Sequence, residues 1–220
     1  DRAAMASWGV TFVAPSGRAL RVPFSRTTGL GEAPGAILPR LRFDDLLFQR
    51  VKRTSGITVL EGTAAKRFER VHDGWRIGLS AAGSPVSDST ATDQPGFAAR
   101  RRPAEDNAPS TLHPRLLIDA SGANSQFARH VAALPMEPKH HAAGVRAYFS
   151  GVGDLDPQGF IELIFLKDLL PGYLWVFPLP EGRANVGLGL RSDVVRERRI
   201  DLKALLVKLV TTHPRLKGRF

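Results

Sequence analysis

The sequence predicts a mixed α/β protein of the α+β kind, with a layered β/α portion followed by an antiparallel sheet. Three observations carry this. A helix-period stretch beginning at Phe43 runs into the apolar run Ile57-Thr58-Val59-Leu60, which is half of a βαβ crossover. A second apolar run, Arg115 to Asp119, turns through small residues into another helical pattern. Four strand-type stretches with turn residues between them then span Val145 to Leu190, the pattern of a meander.

Composition narrows the functional classes. The chain has 220 residues, 43% hydrophobic and 24% charged, enough for one large domain or two small ones. No cysteine is present, which excludes disulfides, thiol catalysis and Cys-ligated metal centres. The six histidines show no ligand spacing, so no metal site is expected. Thirty-one Lys and Arg against 21 Asp and Glu give a formal charge of +10. The excess is scattered as single arginines and short pairs, and aromatic interleaving is absent, so nucleic acid is not the expected partner. Attraction to an anionic membrane surface accounts for the charge at least as well. No run approaches the ~18–20 apolar residues of a membrane span, and DRAAMASWGV is unlike a signal peptide. A cytoplasmic protein, in peripheral contact with membrane, is the expectation.

Each element follows in order. Trp8 to Val13 alternates as a strand, Pro15-Ser16-Gly17 is turn chemistry, and Leu20 to Phe24 forms a second strand. Ser25 to Pro39 is rich in Gly and Pro and is expected to be a loop. Its Gly29-Leu30-Gly31 lacks dinucleotide-fingerprint spacing, and Pro34 interrupts any following helix. Phe43, Leu47 and Val51 then mark an amphipathic helix, with Asp44 and Asp45 in its first turn, Lys52 and Arg53 in its last, and Gly56 as C-cap. Ile57 to Leu60 is a buried strand in this reading. Ala65–Val71 and Trp75–Leu79 form a hairpin about Asp73-Gly74. Residues 81–114 are poor in large apolar side chains and read as a disordered insertion, which includes Arg100-Arg101-Arg102. Arg115 to Asp119 suits a central parallel strand buried on both faces. A helix carrying Phe127, Val131 and Leu134 follows. After the meander, Asp201 opens a helix through Leu202, Leu205, Leu206, Leu209 and Val210. There is no internal repeat.

Two segments carry chemistry. In Leu116 to Arg129 a strand, a small-residue turn and a helix opened by Ser125 bring backbone N–H groups where an anion or ribose can approach. A strand-to-helix turn without a ligand gives the same pattern, so both readings stay open. In Pro171 to Gly189, Tyr173, Trp175 and Phe177 share one strand face, Pro178 ends regular pairing, and Gly187 and Gly189 leave the next strand bare. This describes an aromatic wall beside a backbone groove, open to a flat ring or a long apolar chain. A sheet core with inward aromatics is the other reading.

These segments resemble known flavoproteins. Gly122, Ser125 and Arg129 match the second flavin-associated motif of the para-hydroxybenzoate hydroxylase-like proteins, although Ser121 stands where that motif has aspartate and Asp119 lies two residues earlier. Arg40-Leu41-Arg42-Phe43-Asp44 is similar to the Arg-x-x-Phe-Asp stretch of the same proteins, with Arg40 at a helix start near the flavin. The run Tyr173 to Gly189 closely resembles the Tyr-x-Trp-x-Phe-Pro and Gly-x-Gly signature of geranylgeranyl reductases, with eight residues between the halves. The likeness continues through Gly144 to Phe149, Glu162, and Asp168 to Pro171.

The resemblance implies a partial FAD-binding three-layer β/α domain at 40–80 and 115–142, and an antiparallel substrate-binding sheet with a C-terminal helix at 143–220. Residues 1–39 would be a β-rich segment and loop of the substrate region. It implies FAD contacts at Arg40, Asp119, Ser121, Gly122, Ser125 and Arg129, and substrate contacts at Tyr173, Trp175, Phe177, Pro178, Gly187 and Gly189. The implied reaction is hydride transfer from reduced flavin to a C=C bond of a polyprenyl group, completed by a proton, with NAD(P)H or ferredoxin as electron donor. No catalytic acid is assigned; Tyr173 is either a proton donor or a wall. Such proteins also carry a GxGxxG turn and a later Gly-Asp motif, neither of which occurs here, so the chain reads as an interior fragment. Rival readings are aromatic hydroxylation or halogenation on the same fold, and an inactive fragment that only binds an apolar ligand.

Overall fold

Alternating apolar and polar side chains, interrupted by Gly and Pro turns, build a protein dominated by sheets. The computed structural model describes residues 4–24, 33–81 and 110–220. Gly29-Leu30-Gly31 and residues 82–109, which hold most of the expected disordered insertion, lie outside the described residues. In chain order the elements are β1 (Met5–Ser7), β2 (Gly9–Val13), β3 (Ala19–Pro23), β4 (Gly35–Ile37), α1 (Arg40–Arg53), β5 (Thr63–Val71), β6 (Gly74–Ala81), β7 (Thr111–Leu112), β8 (Ala142–Phe149), β9 (Ile161–Ile164), β10 (Tyr173–Leu179), β11 (Arg183–Arg191), α2 (Ser192–Glu197) and α3 (Leu202–Thr212). They fall into two compact units, Asp1–Arg50 with Met136–Phe220, and Val51–Pro135.

The first unit is organised by a six-stranded sheet of order β3-β2-β9-β10-β11-β8. Every pairing is antiparallel except β2 with β9, so the N-terminal hairpin extends the later meander. On one face Val13, Ile164, Leu174, Val176, Val186, Leu188 and Leu190 are almost completely buried. Leu206 and Val210 of α3, with Val194 and Leu216, complete that core. The Asp201 carboxylate caps α3 by accepting from the N–H groups of Lys203 (2.9 Å) and Ala204 (3.0 Å), as expected. Near the C-terminus, the buried Arg219 donates to both carboxylate oxygens of Glu162 and to the carbonyls of Gly153 and Asp154. That pairing compensates the cost of placing Glu162 on the core side of β9.

Three local expectations change here. Gly35–Ile37, expected in a loop, pairs with Met5–Ser7 as a separate two-stranded ribbon. Pro178 does not end pairing: the β10–β11 ladder continues through Pro178↔Ala184 to Leu179↔Arg183. Pairing of β10 with β9 stops at Val176, so the missing N–H of proline is tolerated beyond that point. Helix α1 begins at Arg40, three residues before Phe43, which leaves no acidic residue in its first turn.

The second unit holds the sheet β5-β6-β7. Its hairpin turns at His72-Asp73, and Gly74 is already paired with Val71. Glycine is needed at 74 for close approach, because a Cβ would lie 2.4 Å from the Pro114 carbonyl oxygen. The expected helix after Ser125 is a single π-helical turn, Phe127–Val131, whose Phe127 ring packs edge-on against Phe68 and Trp75. Ile57 to Leu60 and Arg115 to Asp119 form no strand, and Leu116 and Ile118 are well exposed. The expectation of two buried strands fails because no described strand supplies their ladder.

Candidate functional site

The second face of the six-stranded sheet carries the candidate site. Strand alternation that buries Leu174 and Val176 turns Tyr173, Trp175 and Phe177 the other way. Their rings stand in a row, with centroids 6.1 Å apart for Tyr173–Trp175 and 6.2 Å for Trp175–Phe177. Opposite them, Gly189 pairs with Tyr173 and Gly187 with Trp175. The groove expected over Gly187 is filled by Trp175 itself. A Cβ on Gly187 would stand 2.4 Å from the indole Cζ2 and 2.4 Å from the Val145 carbonyl oxygen. The glycine makes room for this wall residue to lie flat on the backbone.

Beyond the wall lies a cavity of about 700 Å³. Phe24, Ile37, Ile161, Trp175, Phe177 and Leu179 form its apolar lining, and Ser7, Arg40, Arg146, Tyr148 and Asn185 its polar part. Of the six residues expected to contact substrate, Trp175 and Phe177 line it, while Tyr173, Pro178, Gly187 and Gly189 do not. Tyr173 instead stacks obliquely on Phe165 at 5.8 Å, and Pro178 belongs to the buried core face.

Arg146, Asn185 and the start of α1 converge on one phenol, while the Ser7 hydroxyl donates to the Gly159 carbonyl. Tyr148 lies directly across from Asn185 in the β8–β11 register, and Arg146 across from Gly187. The Tyr148 Oη accepts from Arg146 Nη1 at 3.0 Å and from the backbone N–H of Arg40 at 3.3 Å. That N–H is one of the unpaired donors at the start of α1. Asn185 adds a third hydrogen bond to the phenol while its Oδ1 accepts from Trp175 Nε1 at 2.9 Å. Burial alone would raise the Tyr148 pKa, but the hydrogen bonds from Arg40, Asn185 and Arg146 and the Arg146 charge outweigh it and hold it below the ordinary phenol value. Arg146, Tyr148 and Asn185 were not singled out from the sequence. The signal was present, since alternation along each strand puts Gly144, Arg146 and Tyr148 of β8 together, and Asn185 with Gly187 of β11 on the same face of the sheet.

The expected cofactor residues divide between the two units. Arg40 belongs to the first, where its guanidinium is held by Asp44 one helical turn on, with Nε–Oδ1 at 3.1 Å. The other five form one turn in the second unit. Asp119 accepts from the N–H and hydroxyl of Ser121 and from the hydroxyl of Ser125, bonds that lower its pKa. Ser125 is buried, and its Oγ also accepts from the Ala128 N–H at 2.9 Å, so this side chain builds the turn. Gly122 takes a left-handed φ of +81°, and nothing lies within 4 Å of where a Cβ would point. Arg129 is exposed and reaches Asn124 Oδ1 at 2.8 Å. A bare glycine turn beside an exposed guanidinium fits the approach of a phosphate or ribose. Among the described residues no cluster of three His, Asp or Glu could hold a metal ion. No helix among them is long and apolar enough to cross a membrane.

No protein-family model matches the chain. Digeranylgeranylglycerophospholipid reductase 1 of Methanopyrus kandleri is 41% identical over 82 residues, 36% of this chain and 21% of that protein. Menaquinone reductase of Mycobacterium tuberculosis is 34% identical over 95 residues, 42% of this chain and 23% of that protein. The crystal structure of a geranylgeranyl bacteriochlorophyll reductase-like protein from Thermoplasma acidophilum superposes with a TM-score of 0.72 at 22% identity, covering 97% of this chain and 47% of that one. FAD-dependent halogenases share the fold more distantly. The resemblance to geranylgeranyl reductases is therefore borne out, and the fold is the α+β fold of flavin-dependent oxidoreductases. The chain spans about half the length of the structure it matches.

Proposed function

We propose that this chain forms the substrate face and part of the FAD-binding region of an oxidoreductase that reduces C=C bonds of a polyprenyl group. The observation that carries the reading is the cavity walled by Trp175 and Phe177 of the Tyr-x-Trp-x-Phe-Pro run. An isoprenoid chain offers no hydrogen-bonding atom along its length, so it needs an apolar wall with polar groups confined to one place. That is the distribution of lining residues here.

Gly122, Ser121 and Arg129 are the groups that would hold FAD at the turn. When bound, the flavin supplies hydride chemistry that no side chain can. The residues of this chain bind the apolar chain, keep water from it and manage the proton. NAD(P)H or ferredoxin remains the proposed source of electrons. The charge of +10 supports peripheral contact with anionic lipid at the cytoplasmic membrane face, where a polyprenyl lipid resides.

The test is mass spectrometry of a geranylgeranyl lipid incubated with the FAD-loaded protein and dithionite. Gain of two hydrogens per reacted double bond is the expected result. Incorporation of oxygen or halide under air would favour the hydroxylase or halogenase reading instead. Saturable binding with no change in mass would leave an apolar-ligand binder.

A further inference from the structure

Among the described residues that line the cavity, Tyr148 is the one whose acidic group has its conjugate base already supported. Two obligate donors, the Arg146 guanidinium and the Arg40 backbone N–H, point at its oxygen. Neither can accept a proton, so the Tyr148 proton is left for whatever fills the cavity. Asn185 is fixed from behind by Trp175 Nε1, which ties the phenol to the aromatic wall. Tyr173, the other tyrosine of the chain, has no such support and does not line the cavity.

We propose that Tyr148 is the proton donor of the reaction, a catalytic residue, and that Arg146 and Asn185 are positioning residues that hold its phenolate. The proposal rests on the reading of the site as a polyprenyl reductase. In the step, the π bond of the substrate breaks. One carbon would take a hydride, with its electron pair, which reduced flavin would supply when bound. The other takes the proton of Tyr148 as its O–H bond breaks. The phenolate that remains keeps the hydrogen bonds from Arg146, Asn185 and Arg40 N–H, and water reprotonates it. Preorganised donors aimed at the oxygen that gains charge lower the barrier without rearrangement.

The chain has two tyrosines, so Y173F isolates Tyr148 for titration by tyrosinate absorbance. The expected result is ionisation below the ordinary phenol range, moved upward by R146M. Saturating geranylgeraniol should also move it upward, because an apolar chain takes water from the phenolate. Titration at the ordinary value, or indifference to R146M and to geranylgeraniol, would overturn the assignment without any reference to flavin. In the FAD-loaded protein, Y148F is expected to slow saturation of a geranylgeranyl lipid by about 100-fold or more while leaving flavin reduction by dithionite unchanged. R146M is expected to move the high-pH loss of rate upward, an effect that a purely structural arginine would not produce. If the wild type saturates the lipid and Y148F does so at the same rate, Tyr148 is not the donor and the reductase reading stands. If the wild type leaves the lipid unchanged, the reductase reading fails and this assignment fails with it.

Discussion

The two faces of the six-stranded sheet are made from alternate residues of the same strands, yet they do opposite work. On β10 and β11 the set Leu174, Val176, Val186, Leu188 and Leu190 is sealed under α3. Its neighbours Trp175, Phe177 and Asn185, one position away in each case, form a wall beside open space, and Gly187 lies beneath the Trp175 ring. On β10 and β11 the core face is apolar, and on neighbouring β9 Glu162 is compensated by Arg219. The cavity face mixes aromatic rings, bare glycine backbone and a small polar network. A one-residue shift in pairing would exchange the two sets, so the register of β10 against β11 fixes both stability and chemistry.

The largest effect that separates the faces should come from Leu188→Ala. It removes a fully buried side chain from the sealed face and should lower unfolding free energy by roughly 2–5 kcal/mol in urea titration. Phe177→Ala, on the open face, should cost roughly 1–2 kcal/mol, because the space beside it is already open. Equal losses in the two variants would break the contrast.

Gly187→Ala lies between the faces in kind. The added methyl meets both the Trp175 indole and the Val145 carbonyl, and the backbone cannot withdraw as a side chain can. A loss of about 1–3 kcal/mol is expected, together with changed Trp175 fluorescence as the ring leaves Asn185. A variant of unchanged stability and fluorescence would mean that the indole does not rest on Gly187.

Much of this was legible in sequence and some was not. The β10–β11 pair followed from alternation alone, because Tyr173, Trp175 and Phe177 stand two apart between apolar residues. Ile57–Leu60 and Arg115–Asp119 have the same apolar density, but a strand also needs a partner, and no described strand pairs with either. The β1–β4 ribbon joins two three-residue segments too short to show a period. The Tyr148 network was hidden for a different reason. Its members come from β8, β11 and the start of α1, and only the pairing register brings them to one oxygen. At the turn, Asp119 and Ser125 were visible as polar residues, but sequence alone could not tell that they bond to each other.

The smallest expected effect lies at the end of β11. Arg191 pairs with Asp193 and, through that hydrogen bond above all, holds its carboxyl at about 2, against 3.8 unperturbed. Its folded value is the lower one, so the stabilisation is complete above about pH 4 and is lost as pH falls through about 2. D193N should flatten that part of the stability–pH curve slightly and leave ligand binding alone. An identical curve for D193N and wild type would remove this pair from the account.

The central claim is that the second face of the sheet holds a polyprenyl chain. Equilibrium binding of geranylgeraniol to the wild-type chain and to F177A tests it most directly. One saturable site per chain is expected, weakened about tenfold or more in F177A while that variant stays folded. Non-saturable uptake by the wild type, or equal affinity in F177A, would contradict it.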